Sequence, residues 1–190
     1  MTKTRKLTTL AMLAALSVVL VAIIHIPIFP AAPFLQYDPA DIPILIATFS
    51  FGPLAGLMVT AVVSVIQAFL VSGDGVYGML MHFLATGAYV LVAGFIYRRK
   101  KTRTTGAVSL ACGAATMVIV MIGLNLLITP FFTGGSVEDV KELLVPVIIP
   151  FNLIKAGING LVTFLVYKPI SNFVKHPSEK KEAKSSKNKA

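Results

Sequence analysis

Long apolar runs, broken by short polar or proline-rich interruptions, set the pattern of this chain. Residues 7–26 form the first run and predict a membrane-spanning helix, since about 20 consecutive apolar residues cross a bilayer core. Residues 27–41 interrupt it. The four prolines in that stretch, Pro27, Pro30, Pro33 and Pro39, exclude a regular helix and predict a stiff, ordered loop. The next run, 42–72, is too long for one upright span and short for two, and Gly52-Pro53 breaks it. SGDGVYG, residues 72–78, reads as a turn, and 79–97 as a further span. RRKKTRTTG follows as a basic loop, and 106–129 as a span stopped by Pro130. The segment 131–144 reads as a loop with a short helix that Ser136 caps, its acids in the first turn. The last span is 145–167. Residues 1–170 therefore read as one membrane domain and 171–190 as a polar, disordered tail.

Composition agrees with the bilayer as solvent. The chain has 190 residues, is 56% hydrophobic and only 13% charged, and has a mean hydropathy of +0.83. A soluble domain carries roughly a quarter charged residues. The basic N-terminus resembles the start of a signal peptide, but no convincing cleavage site follows, so the first run reads as a retained helix. The single cysteine, Cys112, lies in an apolar run and reads as a small buried side chain.

Charge placement resolves the count of spans. Lys3, Arg5 and Lys6 precede the first span, Arg98, Arg99, Lys100, Lys101 and Arg103 cluster mid-chain, and seven lysines from Lys168 onward follow the last span. Splitting 42–72 at Gly52-Pro53 into about 42–51 and 54–71 puts every basic cluster on one side, as the positive-inside rule requires. Nucleic-acid binding is the other reading of such clusters; in a chain this apolar, topology is the stronger one. The expected fold is all-α, with six transmembrane helices and both termini cytoplasmic. Asp38, Asp41, Asp74, Glu138, Asp139 and Glu142 then fall outside. The first half of the split pair is too short to cross alone and must be shielded by neighbours.

Candidate chemistry begins with Lys155, set well inside PFNLIKAGINGLVTFLVY, residues 150–167. A lysine at the centre of a membrane helix costs on the order of 3 kcal/mol, so such residues face a cavity or a partner. Asn152, Lys155 and Asn159 lie on one helical stripe. Asn125, with Thr129 one turn on, adds an amide from the preceding span. Buried amides present two donors and two acceptor lone pairs, which suits a planar ligand edge of alternating donors and acceptors. The structural alternative is a staple: Lys155 paired with Asp38 or Asp41, and the amides making helix–helix bonds. Tyr37, Asp38 and Asp41 sit in the stiff outer loop, which can serve as a lid; Asp41 also reads as a helix cap. His82 and Gln67 are lone polar residues in their spans. Ala11 and Ala15, four apart, permit close approach of another helix. No phosphate-binding glycine loop, metal-ligand cluster, catalytic triad or intramembrane carboxylate pair is evident. The chain can present a binding site without carrying an engine.

These residues resemble a family. YDPADIPILIA (37–47), FGPLAGL (51–57), PFNLIKA (150–156) and the Ala11/Ala15 pair together resemble the substrate-binding S components of energy-coupling factor (ECF) vitamin transporters, most closely the riboflavin-binding RibU group. The resemblance spans about residues 7–170. It implies a non-enzymatic, six-helix subunit of a prokaryotic plasma membrane, with its vitamin site near the outer face under the first outer loop. It implies an EcfT membrane scaffold on the Ala11/Ala15 face and two cytoplasmic ATPases. By the same resemblance, Asn125, Asn152 and Lys155 bind the polar edge of the flavin. His82 and the SVIQ stretch containing Gln67 depart from the family's usual pattern. The rival readings are an S component for pantothenate, folate or thiamine, a stand-alone ion-coupled transporter, and a membrane scaffold without a small ligand.

Overall fold

A computed structural model describes the backbone of residues 2–175 and the side chains of residues 2–170. The elements are α1 (Lys3–Ile23), a two-stranded antiparallel ribbon of β1 (Ile26–Pro27) and β2 (Gln36–Tyr37), α2 (Asp41–Phe51), α3 (Pro53–Ile66), α4 (Gly75–Arg99), α5 (Arg103–Thr133), α6 (Val137–Leu143) and α7 (Ile149–Lys175). One π-helical turn, Gln67–Val71, extends α3, and another, Leu144–Ile148, joins α6 to α7. Among the described residues, five helical stretches are long and apolar enough to cross a membrane: Lys3–Ile23, Pro53–Val71, Gly75–Arg99, Arg103–Thr133 and Val137–Ile170. With the shorter apolar α2 the total is six, as the charge pattern requires.

α2 is the inner element. Its 11 residues rise only about 16 Å, roughly half of a bilayer core. It is tolerated because residues 43–50 are all buried against the surrounding helices, so its ends are not offered to lipid. Gly52 ends it with φ of 101°, a conformation that disfavours any side chain, and Pro53 opens α3 at once. This tight reversal brings α2, α3 and α4 close. A Cβ added to Gly94 of α4 would stand 2.8 Å from Thr48 Cγ2 and 2.9 Å from Pro53 Cα. Gly94→Val is expected to cost about 1–3 kcal/mol by overpacking, read as a lower thermal midpoint in detergent. Gly123→Val, at an open position, should leave the midpoint unchanged.

The basic positions gather at one end. Lys3, Lys6, Arg98 and the Gly52-Pro53 turn border a single recess, so the N-terminus and the α4–α5 loop share a side. The ribbon, the α3–α4 turn and α6 lie at the other.

Three local expectations are corrected. α5 does not stop at Pro130; it runs on to Thr133 and ends at Gly134 in the left-handed region. A proline forfeits only its own backbone bond, here the one to the Leu126 carbonyl, a loss that a packed membrane helix absorbs by local adjustment. α7 likewise passes Pro169 and continues to Lys175, beyond the expected boundary at 170; the expected disorder of the tail falls mainly on 176–190, outside the described residues. Cys112 is exposed on α5 rather than buried, because its side chain points away from the neighbouring helices. The Ser136 cap is as expected: its hydroxyl accepts from Asp139 N–H, and the Asp139 carboxylate accepts from Ser136 N–H at 2.7 Å. Those hydrogen bonds hold the Asp139 carboxyl below its ordinary range.

Candidate functional site

The stripe on α7 faces the outer loop. Lys155 Nζ donates to Asp38 Oδ2 at 2.7 Å, and both side chains are buried. Asn159 Nδ2 donates to the Asp38 carbonyl at 3.0 Å and to Asp41 Oδ2 at 3.1 Å. Tyr37 donates its hydroxyl to Asn159 Oδ1 at 3.1 Å. Burial, and behind it the nearby Asp38 carboxylate, hold the Tyr37 phenol above its ordinary range, so it remains a donor. Three consecutive features of the loop, Tyr37, Asp38 and the start of α2, are thus tied to two turns of α7.

Asp41 is a hub rather than a side-chain cap. No side chain caps α2, and the only Asx contact there is Ala40 N–H donating to Asp38 Oδ1 at 3.0 Å. Asp41 is fully buried. Its Oδ1 accepts from the Thr86 hydroxyl at 2.9 Å, and His82 Nε2 stands 3.4 Å away. His82 Nδ1 lies 2.8 Å from Ser64 Oγ. Gln67 Nε2 reaches Asp38 Oδ2 at 3.4 Å. A continuous polar seam therefore links α3, α4, the outer loop and α7.

Beside this seam lies a recess of about 120 Å³, with exposed Tyr77 and half-buried Gln36 and Asp74 at its rim. Asp38, Gln67, His82, Thr129, Asn152 and Lys155 border it, together with apolar Met81, Met117, Met121 and Phe151. Among the described residues, two of the bordering side chains hold a buried polar atom without a protein partner, Gln67 Oε1 and Asn152 Oδ1, while His82 Nε2 makes no hydrogen bond and has only Asp41 Oδ1, at 3.4 Å, near it. Such atoms are costly to bury unpaired. At the same end, Phe34 of the loop meets Phe132 edge-on, with ring centres 6.4 Å apart, and Phe132 meets Tyr77 in the same way at 6.2 Å.

The residues singled out in the sequence separate into two groups. Asp38, Gln67, His82, Thr129, Asn152 and Lys155 come together on the recess wall. Asn125 and Tyr37 stand behind it: Asn125 Nδ2 donates to the Met121 carbonyl at 2.8 Å, and its Oδ1 accepts from Thr129 at 3.0 Å. Ala11 and Ala15 lie elsewhere, exposed on α1. Thr86, Ser64 and the hub role of Asp41 were not anticipated. The spacings Ser64/Gln67 and His82/Thr86, each on one helix face, were the available signal.

Comparison with known proteins identifies the family. The family profile described as "ECF transporter, substrate-specific component" matches residues 5–167. The chain belongs to this family. A relative named riboflavin transporter RibU, from Staphylococcus aureus (strain TCH60), is 34% identical over 182 residues, covering 92% of this chain and 95% of the relative. A second, riboflavin transporter FmnP of Bacillus subtilis (strain 168), is 34% identical over 176 residues, covering 87% and 91%. The solved structure "Structure and mechanism of the S component of a bacterial ECF transporter" superposes with a TM-score of 0.79 at 34% identity, covering 92% of this chain and 100% of that one. The S component for biotin from an ECF-type ABC transporter superposes at 0.61 with 19% identity, covering 88% and 95%. That likeness concerns fold alone.

Proposed function

We propose that this S component binds riboflavin at its outer end and delivers it for uptake driven by partner ATPases, without itself transforming the ligand. Identity of 34% over nearly the whole length to two relatives named riboflavin transporters carries this reading. The recess chemistry supports it. The pyrimidine edge of a flavin alternates carbonyl oxygens, a ring N–H and ring nitrogens. Lys155 supplies a charged donor, Asn152 Oδ1 a free acceptor for the ring N–H, and Gln67 Oε1 a free acceptor for ribityl hydroxyls. His82 Nε2, which stands 3.4 Å from Asp41 Oδ1, adds a further polar contact on the wall. The methionines and Phe151 offer an adaptable apolar bed for the fused rings. Asn125 acts through Thr129, which it orients. Tyr37 and Asp38 fasten the loop over the ligand, and because the recess encloses only about 120 Å³, that loop has to yield for a ligand of flavin size to enter.

The partners follow from the family: a membrane scaffold of the EcfT type and two cytoplasmic ATPases. The outward exposure of Ala11 and Ala15, with Leu10, Leu13 and Ala14 packed inward, supports the scaffold lying on that face of α1.

The test is titration of the purified protein with riboflavin, followed by quenching of flavin fluorescence, against biotin, thiamine, folate and pantothenate as competitors. One-to-one quenching that none of the competitors reverses is expected. A folded protein that leaves flavin fluorescence unchanged removes riboflavin and reopens the choice of vitamin.

A further inference from the structure

A second hollow lies at the basic end, away from the outer recess. It encloses about 530 Å³ between the start of α1, the α2–α3 reversal and the end of α4. Among the described residues, three cations border it, Lys3, Lys6 and Arg98, and no acidic residue does. No ion pair is formed by any of the three among the described residues. Its floor is apolar and packed: Leu10, Pro53 and Ala55 are buried. Its flanks are apolar and open, with Leu7 64%, Leu54 68% and Met58 61% exposed.

The α2–α3 reversal adds a second positive element. α3 begins here with Gly52 as its cap residue and no side chain closing it. Pro53 has no N–H, and the N–H groups of Leu54 and Ala55 fall in the first turn, where no intrahelical acceptor exists. The start of this 14-residue helix, which borders the recess, therefore adds its dipole and the first-turn N–H groups to the three cations. Arg98 is held over the ring of Phe95, its Cζ 6.0 Å from the ring centre, which keeps the guanidinium on the apolar flank.

We propose that this recess binds an anionic phospholipid of the surrounding bilayer. The phosphate lies among Lys3, Lys6, Arg98 and the start of α3, and the acyl chains lie over Leu54, Met58 and Phe95. A basic pocket between membrane helices on the positive side is the arrangement that recruits anionic headgroups. The open apolar flanks favour a lipid over free phosphate, because a bare anion would leave those side chains uncovered. The site is independent of the vitamin recess and of its ligand.

Native mass spectrometry of the purified protein tests this with phosphatidylglycerol, phosphatidylcholine of the same acyl chains, and inorganic phosphate as competitor. Retention of phosphatidylglycerol over phosphatidylcholine is expected. The Lys6→Gln/Arg98→Gln double variant should weaken that retention about 25-fold, at roughly fivefold per cation. Lys100→Gln/Lys101→Gln removes equal charge outside the recess and should leave it unchanged. Circular dichroism confirms that both variants are folded. Equal retention of the two lipids, equal loss in the two double variants, or displacement by inorganic phosphate each overturns the proposal. The first of these is the result expected if the recess is instead a seat for a partner protein.

Discussion

Lys155→Met is expected to abolish tight riboflavin binding and to destabilise the protein by about 3–5 kcal/mol, the cost of leaving one charge of a buried pair alone. Lys155 and Asp38 are both buried and 2.7 Å apart, and no other cation stands within salt-bridge distance of Asp38 among the described residues. Two roles are thus superimposed on one ammonium. It neutralises Asp38, fastening the loop to α7, and it lines the recess as a donor. The double variant Asp38→Asn/Lys155→Met separates them. Replacing a whole buried pair is often close to neutral, so the double variant should regain most of the lost thermal stability. Its riboflavin quenching should stay as weak as that of Lys155→Met. If the double variant recovers both stability and binding, Lys155 is a staple and touches no ligand.

Asp41→Ala is the second large effect. The carboxylate accepts from Thr86 and Asn159 and faces His82 from 3.4 Å, all out of water. Removing it strands the Thr86 hydroxyl and one of the two Asn159 amide N–H groups, the other keeping the Asp38 carbonyl, each at about 1–3 kcal/mol, and takes the nearby carboxylate from His82, so a loss of about 3 kcal/mol or more is expected. It also frees the start of α2 from α7. Asp41→Asn should cost less, because its carbonyl can take the Asn159 donor while its amide meets the Thr86 hydroxyl, which accepts as well as donates. Thermal midpoints in detergent, measured without ligand, give the order wild type, Asn, Ala. If Asn and Ala fall equally, the negative charge rather than the hydrogen-bond pattern is what the hub needs.

Spans and their sorting were legible because hydropathy and charge are summed over neighbouring residues. The split at Gly52-Pro53 was legible because glycine and proline act on their own backbone. The stripe of Asn152, Lys155 and Asn159 followed from helical period alone. Each of these is local, and the chain carries it wherever the helix packs.

Partner choice was decided by the tertiary structure. Lys155 meets Asp38 across 117 positions and Asn159 meets Asp41 across 118, and only the packing of α2 against α7 selects those carboxylates over other acids at the same end. That packing also turned Asp41 from an expected cap into a hub, because its side chain points to α4 and α7 rather than to its own first turn. It drew Asn125 behind Thr129 by a bond within its own helix, which no spacing argument distinguishes from a ligand-facing amide. Sequence determined which residues are polar inside an apolar bundle; the arrangement of helices determined which of those polar atoms are spent on one another and which, Gln67 Oε1 and Asn152 Oδ1, remain free on the recess wall.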